Sequence, residues 1–215
     1  MRTWSALRIV GLRGIRVAAL ALVQLGALAP RAVTAATETY ALDPEHTAIS
    51  FSIRHFFSRV PGRFGKSEGT ITLDPEDLTK GSVEVTIDAA SIDTNEPSRD
   101  KHLRSDAFFD VEHHPRIVFK STAVTQPTKG KLKVAGNLTI RGVTKPVTLD
   151  VDVLGFGEMY GAWRGAFEAR THINRQDFGV SWNDVVEGGG VVLGDDVDIV
   201  LNIEAIPQKP GAEKK

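Results

Sequence analysis

The feature that most constrains this chain is a two-residue alternation of apolar and polar side chains that keeps returning after Thr37. Ile49, Phe51 and Ile53 alternate with Ser50, Ser52 and Arg54, and Val83, Val85 and Ile87 alternate with Glu84, Thr86 and Asp88. The same period runs through Leu132, Val134, Gly136, Leu138 and Ile140, and again through Val147, Leu149, Val151 and Val153. It recurs at Phe167, Ala169, Thr171 and Ile173 and at Val197, Ile199, Leu201 and Ile203, with Asp150, Asp152, Arg170, Asp198 and Glu204 at wet positions. Neighbouring side chains on a strand point to opposite faces, so each run is a strand with one dry and one wet face. Adding the runs around Tyr40, 69–73 and 117–123 gives eight or nine strands, parted by turn signals such as Asp74-Pro75-Glu76-Asp77 and Lys129-Gly130.

Helical pattern is scarce. One helix is predicted over 96–103, after the capping candidates Thr94 and Asn95 and with Pro97 in its first turn. A second short helical turn is predicted over 55–60, ahead of Pro61-Gly62. With so few helices to cover them, the dry faces must bury one another, and closing the sheet also removes its edges. An all-β barrel or sandwich follows, and an eight-stranded barrel has room for its own side chains or for one ligand.

The N-terminus carries Arg2, Arg8, Arg13 and Arg16, then the apolar run 17–29, then Val33 and Ala35 in the small-residue pattern of a cleavage site. The run of 13 residues is well short of the ~20 that a helix needs to cross a bilayer, so no stable membrane span is expected. The division expected is an export signal over 1–35 cut after Ala35, a folded domain over 36–206 and a disordered tail over 207–215, in a periplasmic protein. There is no cysteine, which removes disulfides, thiolate metal sites, thiol nucleophiles and lipoprotein attachment. Balanced charge, 26 basic against 27 acidic residues, gives no general attraction to nucleic acid or anionic membrane.

Six histidines raise the question of a metal. His113-His114 are adjacent and so point to opposite faces of an extended chain, and beside Pro115 they read as loop residues. His46, His55, His102 and His172 are dispersed, no carboxylate stands at a zinc-site offset, and no metal or other cofactor is expected. There is no Gly-x-Ser-x-Gly elbow and no phosphate-binding glycine loop, and Gly188-Gly189-Gly190 reads as a flexible turn because no helix follows it. Two stretches are richer: 51–64, with Phe51, Arg54, His55, Phe56, Phe57 and Phe64, and 98–110, with Arg99, Asp100, His102, Phe108 and Phe109. Aromatics beside Arg and His suit a pocket with an apolar body and a polar mouth; equally, these rings could plug the end of a barrel.

Those stretches fall in a longer pattern. Asp43-x-x-His46-Thr47 is followed by Phe51-x-x-Arg54-His55, then Arg99-Asp100-x-His102-Leu103-x-Ser105-x-x-Phe108-Phe109-Asp110. Gly136-Asn137-Leu138-Thr139-Ile140-Arg141-Gly142-Val143-Thr144-Lys145-Pro146-Val147 and Asn174-Arg175-x-Asp177-Phe178-Gly179-Val180 come next, and the alternating strand over 197–206 closes it. In this order the pattern resembles the YceI-like, polyisoprenoid-binding family, departing from it at His113-His114, where an aromatic often precedes the proline.

The resemblance implies an extended, lipocalin-like antiparallel barrel, with one or two short helices, holding a polyprenyl chain. It carries over no catalytic residues. Expected inward ligand contacts are Phe51, Ile53, Phe119, Leu138, Ile140, Val151, Phe167, Ile173 and Leu201, joined by Phe108, Phe178 and Trp182. Arg54, His55, Arg99 and His102 are expected at the polar mouth. The expected partner is an isoprenoid or other long-chain lipid, such as a polyprenyl quinone or phosphate, and a homodimer is compatible with that. A fatty acid or fatty amide is the alternative ligand. A filled barrel acting through its surface, or a head-group enzyme using Asp100 and His102 as an acid/base pair, are the alternatives of other classes.

Overall fold

The computed structural model describes residues 37–208 apart from 75, 160 and 185–190. The expected leader with its cut after Ala35, the Gly188-Gly189-Gly190 turn and 209–215 of the expected tail lie outside the described residues.

Among the described residues the strands are β1 (Glu38–Leu42), β2 (Ala48–His55), β3 (Ser58–Phe64), β4 (Ser67–Leu73), β5 (Ser82–Asp88), β6 (Ile92–Asp93), β7 (Arg116–Thr128), β8 (Lys131–Ile140), β9 (Val143–Met159), β10 (Ala162–Asn174) and β11 (Leu193–Pro207), with one α-helix, α1 (Pro97–Arg104), between β6 and β7. In the order β1-β4-β5-β7-β8-β9-β10-β11 eight strands pair in turn, and β11 pairs back to β1 from Tyr40 with Pro207 to Leu42 with Ala205. The sheet is thus a closed, antiparallel eight-stranded barrel. β2 follows β1 along the same edge of β11, from Ala48 with Asn202 to His55 with Leu193, and only Gly65 and Lys66 part β3 from β4. These interruptions explain why the alternation yields fewer strands than the chain forms.

The pleat follows the pattern. On β8, Leu132, Val134, Gly136, Leu138 and Ile140 are all buried while Lys131, Lys133 and Asn137 are exposed. Gly136 is there for space: a Cβ would lie 2.5 Å from Cζ of Phe119 and 2.6 Å from the Lys120 carbonyl, so the Phe119 ring lies across bare backbone. β8 and β9 are joined by Arg141 (φ 49°) and Gly142 (φ 74°), the two left-handed residues of a tight hairpin turn.

Three local expectations are corrected. The cap of α1 is Glu96, whose carboxylate accepts from the backbone amides of Ser98 (3.2 Å) and Arg99 (2.6 Å), with Pro97 following where no amide is needed. Thr94 is buried instead, and donates to Asp100 from its amide (2.9 Å) and hydroxyl (2.6 Å). The segment 55–60 is not helical: His55 pairs with Ser58, so Phe56 and Phe57 form a two-residue hairpin turn and Pro61-Gly62 continue β3. Gly62 can sit in a strand because the Phe51 ring needs its missing Cβ, which would come within 2.3 Å. At the other end, β11 runs through Pro207 and the Gln208 amide donates to the Thr39 carbonyl (3.0 Å), so order extends into the segment expected to be tail.

Candidate ligand-binding site

The two ends of the barrel are packed differently. Around β1, Tyr40, Leu42, Ile71, Leu73, Leu132, Val134, Val151, Phe167, Ala169 and Ala205 are buried and fill the interior. Towards α1 the interior is hollow, with a cavity of about 430 Å3. Its wall is apolar: Phe51, Ile53, Phe64, Val85, Ile117, Phe119, Leu138, Ile140, Ile173, Val197, Ile199 and Leu201 all face it. Several of these side chains, including Phe51, Ile53, Val197 and Ile199, stay only half-buried although they point inward. That is what an unfilled interior looks like, since a wall atom beside a void has no partner on that side.

Apart from Ser50 and Thr171 on the strands, the polar lining residues gather towards α1. His55, Ser98 and His102 are both part of the lining and exposed, which places the mouth between the end of β2 and α1. α1 is fixed there by its neighbours. Arg99 donates from Nε to the Thr94 hydroxyl (2.7 Å) and from a terminal nitrogen to the Thr94 carbonyl (2.8 Å), while Arg104 holds the carbonyls of Ala90 (2.7 Å) and Ile92 (2.6 Å). The His102 ring stands edge-on to Phe108 and Trp182, with centroids 5.0 and 4.9 Å away. Arg175, only 4% exposed, anchors the segment carrying Trp182: its guanidinium donates to the carbonyls of Val180 (2.6 Å), Trp182 (2.8 Å) and Gly194 (2.8 Å) and to the Asp195 carboxylate (3.1 Å). Burial pulls its pKa down, and these acceptors are what make a buried cation tolerable.

Of the residues expected to meet a ligand, Phe51, Ile53, Phe108, Phe119, Leu138, Ile140, Ile173, Phe178, Trp182 and Leu201 line the cavity. Val151 and Phe167 do not: both point inward but belong to the packed end, where Phe167 meets Phe156 edge-on at 5.7 Å. Of the expected mouth, His55, Arg99 and His102 line the cavity and Arg54 does not, because it lies on the other face of β2 from Ile53 and is exposed. Arg175 and Thr94 were not anticipated; nothing in a lone Arg or Thr announces that its partners are backbone carbonyls or a buried carboxylate. Asp100 and His102 are not brought together as an acid/base pair. They stand two apart on a helix and so diverge: Asp100 is buried on Thr94, and His102 is wedged among aromatics.

A second polar group lies elsewhere. His46 Nδ1 is 2.9 Å from Asp43 Oδ2 and 3.9 Å from Glu204 Oε2, and Arg164 donates to Asp43 (2.7 Å) and Glu204 (2.6 Å). Contrary to the expectation that no carboxylate stands at a metal-site offset, Asp43 lies three residues before His46 with its carboxylate against the ring, and Glu204 joins them from β11. In this arrangement the Arg164 guanidinium is shared between the two carboxylates. His46 and Arg164 hold the Asp43 carboxyl down at about 2, and Asp43 in turn raises the His46 imidazole.

The model of the YceI-like domain matches residues 40–205, the barrel and its mouth together. The chain belongs to the YceI-like family. Within it, a UPF0312 protein of Serratia proteamaculans is 39% identical over 188 residues, 86% of this chain and 94% of that one. Among solved structures, BcnA of Burkholderia cenocepacia aligns over 76% of this chain and 98% of its own, at 25% identity and a TM-score of 0.68. A polyisoprenoid binding domain from Saccharophagus degradans, implicated in plant cell wall breakdown, aligns over 79% and 98% at 15% identity and a TM-score of 0.58, a likeness of fold. The YceI-like barrel is thus the architecture in which this hollow, apolar half sits.

Proposed function

We propose that this protein is an exported carrier that holds a long-chain apolar lipid of the polyisoprenoid class in the hollow half of its barrel, without bond chemistry. The observation that carries this reading is the contrast between a packed end and an unfilled, predominantly apolar end whose charged and histidine side chains lie towards its mouth. The volume, about 430 Å3, falls within the range of roughly 300–1,000 Å3 usual for small-molecule pockets. Each buried carbon of an isoprene unit contributes on the order of 0.8 kcal/mol before ordering costs, so a few units outweigh any single hydrogen bond at the mouth. The tail then sets affinity, while His55, Arg99 and His102 orient the polar end. A fold neighbour described as polyisoprenoid binding supports the ligand class. The arginine-bearing N-terminus followed by a short apolar run and a small-residue cleavage pattern supports export to the periplasm, where a prenyl chain needs shelter from water.

Trp182 reports on the site directly, since it lines the cavity against His102 and Phe108. In a Trp163→Phe background, which removes the exposed tryptophan of the packed end, delipidated mature protein is titrated with prenyl alcohols of increasing length and with palmitic acid. Saturable change in Trp182 emission, tighter with each added prenyl unit and weaker for palmitic acid, is expected. A response to palmitic acid alone would make the fatty-acid reading the better one, and no response to either would remove the carrier reading.

A further inference from the structure

The turn between β2 and β3 is built of the wrong residues for a turn. His55 pairs with Ser58, so the chain reverses over Phe56 and Phe57 alone. Two-residue hairpin turns favour Gly, Asn and Asp because they need left-handed backbone, yet Phe56 adopts φ 55°. Nothing in the core rewards this choice: Phe57 is 87% exposed and Phe56 44%, and the two rings meet mainly each other, at 4.1 Å between centroids. The Phe56 amide donates to the Val192 carbonyl (2.7 Å), which brings the backbone next to Val191, a further exposed apolar residue (57%), up to the turn.

The charge around this tip is as distinctive. The side chains of Arg54 and His55 are exposed and have no hydrogen-bond or ion-pair partner among the described residues, whereas Arg59, on the facing strand, is bound to Asp198 and Ser52. The tip therefore offers aromatic rings flanked by a guanidinium and an imidazole that have no ionic partner among the described residues. It is also part of the mouth, since His55 and Val60 on its two strands line the cavity.

We propose that the β2–β3 tip docks on the surface of a phospholipid bilayer bearing anionic headgroups, so that the mouth of the cavity faces the lipid layer. The choice of a bilayer rests on the carrier reading above together with this charge: Arg54 complements lipid phosphates, and Phe56, Phe57 and Val191 enter the interface between headgroups and chains. Three apolar side chains give weak, reversible adsorption, which is what a carrier that must leave again requires.

The test is co-sedimentation of the mature protein with phosphatidylcholine vesicles, with and without phosphatidylglycerol. The variants are Phe56→Asn/Phe57→Ser, in which Asn keeps the left-handed backbone, Phe57→Ser alone as a milder change, Arg54→Gln, and Trp163→Ser at the opposite end. Wild type should bind the anionic vesicles. The double variant should bind about tenfold or more weakly, Phe57→Ser should be intermediate, Arg54→Gln should lose mainly the salt-sensitive part, and Trp163→Ser should match wild type. Wild type left in the supernatant, tip variants binding as wild type does, or loss of binding in Trp163→Ser would each overturn the docking surface. Bound lipid is extracted from the same samples: a lipid-filled protein that ignores vesicles overturns docking alone, and an empty one that binds them through the tip supports docking while removing the carrier reading.

Discussion

At the scale of single residues, the Asp43–His46–Arg164–Glu204 group makes the sharpest claim. His46 gains a carboxylate on folding, so its pKa is raised, and the stability it contributes is full below the ordinary histidine value and is lost as pH rises through the raised one. Asp43 is held at about 2, so its contribution is present above the ordinary carboxylate value and is lost only as pH falls towards about 2. Both act together between roughly pH 4 and pH 6.5. His46→Gln should therefore lower the melting temperature at about pH 5.5 and make little difference at about pH 8.5. Parallel melting curves for wild type and variant across that span would contradict the assignment. Only half of this group was legible in the chain: Asp43 and His46 stand together in the opening motif, but Arg164 lies 121 residues from Asp43, and no local pattern links them.

Elements were read more fully than their ends. Alternation identifies a strand because a half-buried sheet imposes period two along its whole length, so β8 and β10 could be written down face by face. It carries no information on how far up the barrel a residue sits. That is why Val151 and Phe167 were grouped with the ligand contacts, although both are on the correct face. Turn chemistry failed at Phe56-Phe57 for a related reason: a turn made of two phenylalanines carries no turn signal, and Pro61-Gly62 supplied a false one. The packed and hollow ends should respond differently to the same change. Phe167→Asp leaves an unpaired carboxylate in a filled core and should cost about 3–5 kcal/mol, whereas Ile199→Asp, on a wall that water can reach, should cost about 1–3 kcal/mol yet abolish lipid retention. Denaturant unfolding with lipid extraction separates the two effects, and an Ile199→Asp protein that is the less stable of the pair would show that the ends have been misassigned.

For the molecule as a whole, closure of the sheet was foreseeable from alternation and scarce helices, and the family pattern suggested the ligand class proposed above; that one half would be packed and the other hollow was not legible, since it depends on side-chain volumes summed across strands distant in sequence. An unfilled apolar interior forfeits dispersion contacts, and a lipid that fills it stabilises the fold by mass action. The most direct test of this account is native mass spectrometry of the gently released protein, alongside the Ile199→Asp variant, which puts a carboxylate on the cavity wall. The account predicts a wild-type polypeptide beginning after Ala35 that carries one non-covalent apolar lipid removable by organic solvent, and a folded Ile199→Asp protein that carries none. A bare wild-type barrel, or an Ile199→Asp protein holding the same lipid, would contradict the central claim.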